Sequence, residues 1–385
     1  MRCAYSMFNR SNPYYAFLKE RQGLNKKGSS KDIQHLVIDI KGSGINYRVG
    51  DSLGVLPCNS REVLEKTLKM MKASGDELIK SNRIKEELPL HVFLKRYANI
   101  SDISKSLIQE VELRQTNIEK KRKLKDLLDP LNKEKLKQYI ASHELWDFLE
   151  EHGEVSFTPQ EICDKLRGLV PRLYSIASSM KAVGEEVHLT VAKLEYQTGN
   201  YLRKGVATNY LCNEVNIFDT KIPIYIQESR KFNLPKCGDN PLIMVGPGTG
   251  IAPFRAFMQE RGMMQSSGKN WLFFGERNCA YDFLYKDFWM DLEKRGILRL
   301  DLAFSRDGEK KVYVQHKMWE NANDIWKWLE RGAYFYVCGD AQHMAKDVDC
   351  MLHSIVEREG EMSDKDARAY VKALKEKNRY QRDVY

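Results

Sequence analysis

The sequence predicts two folds in succession: a β domain interrupted by a long helical insertion, then an α/β domain built on a parallel sheet. Three observations carry this. Four short apolar runs, at residues 242–245, 271–274, 298–304 and 333–337, alternate with segments of amphipathic helical spacing, the order that puts helices on both faces of a parallel sheet. Apolar alternation with a period of two marks strands at residues 34–41 and 187–194. Between these, up to about residue 150, the pattern is helical and highly charged. With 385 residues, 42% hydrophobic and 30% charged, the chain has material for two or three domains of a soluble globular protein.

In chain order, residues 1–31 are rich in Asn, Pro, Tyr and Gly and read as extended, with a loop at 26–30. Leu36, Ile38 and Ile40 define a strand over 34–41. Residues 47–56 form a second strand region, bent or bulged at Gly50-Asp51. Residues 61–71 read as a helix capped by Asn59 or Ser60. Strands return at 173–177, 187–194 and 222–227. In the last part, helices are expected at 251–265, 284–295, 314–330, 342–359 and 363–377, after which the chain stops at Arg382-Asp383-Val384-Tyr385. The division is therefore residues 1–234, with the insertion at about 60–165, and residues 235–385.

The site reading is organised around Pro171-Arg172-Leu173-Tyr174-Ser175-Ile176-Ala177-Ser178-Ser179. Alternate strand residues share a face, so Arg172 and Tyr174 point one way and Ser175 the other. A fixed cation suits a phosphate, a flat ring with a polar tip suits another flat ring, and the serine adds one small donor. A flavin dinucleotide, with its diphosphate and planar heteroaromatic system, fits that set; an ordinary strand with a surface arginine would use the same residues. In Gly205-Val206-Ala207-Thr208-Asn209-Tyr210-Leu211, Gly205 lets backbone approach a ligand. Thr208 is expected to cap a helix that begins at Asn209, an anion site or a plain turn and cap.

The loop Val245-Gly246-Pro247-Gly248-Thr249-Gly250-Ile251-Ala252-Pro253-Phe254-Arg255 joins an expected strand to an expected helix, the context of a phosphate-binding glycine loop. Its glycines alternate instead of following Gly-x-Gly-x-x-Gly, and Gly248 and Thr249 are its ligand-facing candidates. Past the third strand of the parallel sheet, Ser305-Arg306 and Lys311-Val312-Tyr313-Val314-Gln315 supply cations and hydroxyls for a phosphomonoester. On a dinucleotide this is the 2′-phosphate of NADP, where an NAD site would carry an acidic residue; a basic surface loop is the alternative. Cys338, in Val337-Cys338-Gly339-Asp340, is either a thiol beside a nicotinamide or core packing. Tyr385 is either a frayed end or a ring stacked on a flavin.

Together with Asn270-Trp271-Leu272-Phe273-Phe274-Gly275, Tyr336-Val337-Cys338-Gly339-Asp340-Ala341 and the ending Arg379-Tyr380-Gln381-Arg382-Asp383-Val384-Tyr385, these stretches resemble the ferredoxin–NADP reductase-like module of diflavin reductases. The flavoprotein (alpha) components of NADPH–sulfite reductases are the nearest group, and cytochrome P-450 reductases are similar. The resemblance implies an antiparallel β-barrel FAD domain with a helical connecting insertion, then an NADP domain. For FAD it implies Arg172, Leu173, Tyr174, Ser175, Thr190, Val191, Ala192, Tyr196, Gly205, Val206, Ala207 and Thr208, with Ser101 and Ala141 on the adenine side. For NADP it implies Ser305, Arg306, Lys311 to Gln315 and Asp347. It implies that Ser175, Cys338 and Asp383 assist hydride transfer and that Tyr385 covers the flavin.

The expected function is that of an NADPH-dependent flavoprotein oxidoreductase carrying electrons from NADPH through FAD to a separate partner. Diflavin reductases have an FMN-binding flavodoxin domain ahead of this module, and the residues before position 31 are too few for one. The expected acceptor is therefore a separate FMN-carrying, flavodoxin-like protein or a haemoprotein subunit. Reduction of a ferredoxin-like acceptor, or flavin binding without catalysis, are the rival readings. The net charge of +9 suits an acidic partner; no nucleic-acid motif accompanies it. No run reaches membrane-spanning length, and the eight cysteines, without Cys-x-x-Cys, fit no metal site and a reducing cytoplasm.

Overall fold

A computed structural model describes residues 7–385; the first six residues of the segment expected to be extended lie outside the described residues. The chain divides into two compact units. One takes the described residues up to Val55 with Leu173–Lys193 and Asn216–Tyr385, and the other takes Leu56–Arg172 and Leu194–Val215.

The first unit holds two sheets. Its antiparallel sheet has six strands, in the order Arg172–Ser175, Ser52–Val55, Lys221–Gln227, Tyr14–Gly23, Ile33–Asp39, Glu186–Ala192. Strand Tyr14–Gly23 lies inside the stretch read only as extended. The two end strands meet where an isolated bridge joins Ile176 to Leu189 and Ala177 N–H donates to His188 O at 2.8 Å. The sheet thereby closes into a barrel, which removes its free edges. The bend before Ser52–Val55 sits at Gly50, with φ +98°, where an added Cβ would run into the Phe232 carbonyl.

The second sheet is parallel, in the order Leu298–Phe304, Asn270–Glu276, Leu242–Val245, Tyr334–Gly339, Tyr380–Val384. Period-two alternation sorts its side chains onto two faces. Ile243, Val245, Trp271, Phe273, Phe335 and Val337 pack in one core. Leu242, Met244, Leu272, Phe274 and Tyr336 pack in another, against Phe254 and Phe257 of helix Ala252–Met263 and Trp289 of helix Lys286–Lys294. Two expectations change. The helix foreseen over 314–330 breaks into Val314–Glu320 and Ala322–Glu330, because Asn321 turns its side chain to the sheet, donating to Asp301 Oδ1 at 3.1 Å. The ending, read as a bare stop, is a fifth parallel strand.

The second unit is mainly helical around its own core, which includes Leu90, Phe93, Ile108, Leu145 and Phe148. Its helix Arg61–Met71 is capped by Ser60, whose hydroxyl accepts from Val63 N–H at 3.3 Å. A hairpin of Glu195–Thr198 and Tyr201–Lys204 belongs to the same unit and has no counterpart in the sequence reading. Among the described residues no helix is long and apolar enough to cross a membrane.

Candidate functional site

In the parallel sheet, strand order reverses direction between Leu242–Val245 and Tyr334–Gly339, and the crevice at the carboxyl ends of two such strands is where open α/β sheets bind ligands. The glycine loop lies at that point. Gly246 N–H donates to Phe273 O at 3.0 Å, Gly248 has φ +58°, and a tight turn Gly248–Ile251 leads into helix Ala252–Met263 with Pro253 in its first turn. Gly250 passes so close to the end of the next strand that a Cβ there would clash with the Cys338 carbonyl. The glycines thus serve close approach and a left-handed turn, the two needs only glycine meets at no cost.

The fifth strand explains the next grouping. Its register pairs Cys338 with Asp383. Ser175 Oγ, at the end of its barrel strand, donates to Asp383 Oδ2 at 2.6 Å, and Cys338 Sγ lies 3.8 Å from the same oxygen. Burial raises the Asp383 pKa against the pull of these two donors. Burial, with the neighbouring Asp383 charge, pushes the fully buried Cys338 thiol well up, so it is a neutral thiol. Tyr385 is not frayed: its N–H donates to Gly339 O at 3.1 Å, its carbonyl accepts from Ala341 N–H at 3.1 Å, and its hydroxyl lies 2.8 Å from Thr249 Oγ1 of the glycine loop. Ser175, Cys338, Asp383, Tyr385 and Thr249 are therefore brought together.

The residues expected at a 2′-phosphate lie past strand Leu298–Phe304. Ser305 N–H donates to Glu276 O at 2.9 Å and Arg306 N–H to Arg277 O at 2.8 Å. Arg306, Lys311 and Tyr313 are exposed, Val312 and Gln315 half-buried. Val314 is core and can offer only main chain to a ligand. Gln315 Nε2 donates to Asp347 Oδ2 at 3.2 Å, joining these two expected residues across helices Val314–Glu320 and Met344–Glu359. Of the neighbouring carboxylates, Asp307 accepts from Cys279 N–H at 3.0 Å, and the buried Glu276 pairs with Lys31. Lys31 and Glu276 were missed by the sequence reading; an acidic residue closing an apolar strand at a ligand-binding edge was the available signal.

On the flavin side, Leu173 is exposed and Tyr174 and Ser175 half-buried. Thr190 Oγ1 lies 2.7 Å from the Tyr285 hydroxyl, Val191 is core, and Ala192 is exposed at the strand end. In the helical unit, Tyr196 is exposed on the hairpin. The expected cap is displaced: Gly205 is the N-cap of the short helix Val206–Asn209. Thr208 lies within that helix, its hydroxyl donating to Gly205 O at 3.1 Å and accepting from Leu194 N–H at 3.2 Å. Backbone wins because Gly205 has no Cβ, which would press on Leu194 and Thr208, and turns the chain three residues sooner. Ala207 is buried. Ser101 and Val206 line one cavity of about 210 Å³ with Arg203 and Glu144; Ala141 is exposed outside it. Arg203, also missed, is held there by Glu144 at 3.0 Å and by Asp147.

Three cations among the expected dinucleotide contacts keep their N–H donors unspent. The side chains of Arg172, Arg306 and Lys311 make no hydrogen bond or ion pair among the described residues. Unspent cations at these positions match a flavin diphosphate and a 2′-phosphate.

Residues 6–210 match the FAD binding domain family and residues 244–349 the oxidoreductase NAD-binding domain family. Similar curated proteins are the sulfite reductase [NADPH] flavoprotein alpha-components of Bacillus subtilis, 42% identical over 99% of this chain and 62% of that protein, Photobacterium profundum, 40% over 99% and 62%, and Vibrio parahaemolyticus, 42% over 99% and 60%. The chain spans about three fifths of the length of these relatives.

Proposed function

The chain belongs to the FAD binding domain family, and from that premise we propose that it is an NADPH-dependent flavoprotein oxidoreductase that binds FAD and passes electrons from NADPH to a separate carrier protein. The carrying observation is the meeting of Ser175, Asp383, Cys338 and Tyr385 at the crevice of a parallel sheet that also holds a glycine loop. Bound FAD supplies electron uptake in pairs and release one at a time.

The chain's own residues do the rest. In the two-sheet unit, Leu173, Tyr174, Thr190, Ala192 and the main chain of Val191 line the flavin. Ser175 orients the Asp383 carboxylate, which stabilises positive charge developing on the nicotinamide ring, and the neutral Cys338 thiol packs beside it. Gly248 and Thr249 hold the nicotinamide nucleotide's diphosphate; Ser305, Arg306, Lys311, Val312, Tyr313, Val314, Gln315 and Asp347 form the socket that selects NADPH. Tyr385 shields the reacting face and yields it to the nicotinamide. In the helical unit, Arg172 and Gly205, Val206, Ala207 and Thr208 bind the flavin diphosphate, and Ser101, Ala141 and Tyr196 the adenine side. In this division residues 1–234 serve the flavin, with the insertion at about 60–165, and residues 235–385 serve the nicotinamide nucleotide.

The relatives are alpha-components named for sulfite reduction, which supports a haemoprotein subunit as the acceptor; an FMN-carrying, flavodoxin-like protein is the alternative acceptor. The described cysteines are all free thiols, in keeping with a cytoplasmic setting. The test is to release the flavin from the purified protein for chromatography and to follow anaerobic bleaching. FAD near one per chain and rapid bleaching by NADPH are expected; FMN instead of FAD, or no bleaching, overturns the proposal.

A further inference from the structure

Helix Ala252–Met263 starts at the glycine loop, and a second cavity, of about 540 Å³, opens at its other end. That volume is in the range of small-molecule sites. The helix residues 252–259, roughly 12 Å of rise, separate the loop from Glu260, the first helix residue that lines the cavity, so it is no part of the nucleotide crevice.

Its charged lining is unbalanced. Arg48, Lys181, Lys236 and Arg261 face the cavity with one carboxylate, Glu260, and Glu260 is already committed to Lys181 at 2.7 Å and to the Ser179 hydroxyl at 2.5 Å. Arg261 is only 4% exposed. Its Nη2 donates to Gly238 O at 2.9 Å and Gly268 O at 2.7 Å, while its buried Nε has no partner. The nearby carboxylate of Asp239 is taken by Ser267 and Cys237. A buried guanidinium tethered by one nitrogen, with another donor unspent, is what a planar anion would complete. Met180, Leu234 and Met264 give the remaining lining an apolar character.

We propose that this cavity binds a carboxylate carried on an apolar body, with Arg261 and Lys236 taking the carboxylate and Met180, Leu234 and Met264 the body. Calorimetric titration of the flavin-loaded full chain with decanoate tests it, with inorganic phosphate as the second probe. Decanoate binding at one per chain is expected, weakened tenfold or more by Lys236→Glu and lost in Arg261→Gln, with no saturable phosphate binding. Lys236 is exposed, so its variant keeps the test alive where Arg261→Gln fails to fold, and its NADPH–ferricyanide rate stays that of the parent. Absence of saturable decanoate binding, equal affinity in Lys236→Glu, or phosphate binding as tightly as decanoate overturns the proposal.

Discussion

Asp383 keeps a carboxylate where burial works against its charge, and that sets a pH signature. Its folded pKa lies above the unfolded value of 3.8. The folded state therefore holds the proton more tightly than the unfolded chain. The stability this contributes is full below the unfolded pKa and is lost as pH rises through the raised folded value. Asp383→Asn removes the buried charge, so at pH 7.5 it should melt at or above the parent's temperature, with the difference shrinking toward pH 4. The rate of flavin bleaching by NADPH should meanwhile fall on the order of a hundredfold, the scale for losing one preorganised electrostatic group. An unchanged bleaching rate would remove Asp383 from the chemistry. Arg306 tests the socket in the same way. A charge-assisted hydrogen bond is worth roughly 1.5–3 kcal/mol, so Arg306→Ala should cost about ten- to a hundredfold in kcat/KM with NADPH and little with NADH. Equal losses with both nucleotides would place Arg306 away from the 2′-phosphate.

Elements were legible where periodicity was strong. The strands Leu242–Val245 and Leu298–Phe304 and the helix Arg61–Met71 fall on the residues their apolar spacing marks. Strand Tyr380–Val384 was not legible, because Gln381, Arg382 and Asp383 give it no apolar run; its pairing with Tyr334–Gly339 and the docking of Tyr380 against Phe335 decide it. That strand aligns Asp383 with Cys338, so the grouping could be anticipated only by resemblance. The glycine loop was legible as a loop, but the reason for each glycine was not. Gly250 is set by the Cys338 carbonyl of a strand almost ninety positions later. Gly250→Ala should push that backbone, costing roughly 1–3 kcal/mol in urea unfolding, the usual range for overpacking, and should raise KM for NADPH and NADH alike. A parent-like unfolding midpoint would show that the loop and strand end have room to spare.

At the scale of the whole two-sheet unit, the barrel and the parallel sheet are joined by a buried polar cluster that no motif announced. His35 and Thr190 are paired across neighbouring barrel strands, and both meet the Tyr285 hydroxyl, at 2.9 and 2.7 Å. From helix Ala252–Met263, Arg255 donates to Ala177 O at 2.6 Å and lies 5.0 Å from the Tyr285 ring. His188 sits between Arg255, at 3.5 Å, and Glu186, at 3.1 Å. Burial, then the charges of Arg255 and His188, lower the His35 pKa to about 3; burial also lowers that of His188. Both imidazoles are neutral in the fold, and as pH falls through about 6.5 they take up protons on unfolding. For His35 the unfolded chain binds more protons between pH 6.5 and about 3, so stability is full above 6.5 and drains away as pH falls through that window. One proton taken up corresponds to about 1.4 kcal/mol per pH unit. His35→Gln should therefore unfold with a shallower pH dependence between pH 6 and 4, by close to that slope, whatever its absolute stability at pH 7.5. Urea unfolding at half-unit pH steps measures it. The same slope in parent and variant would mean that His35 is protonated in the fold, and that the joint between the two sheets carries a charge the present geometry leaves without a counterion.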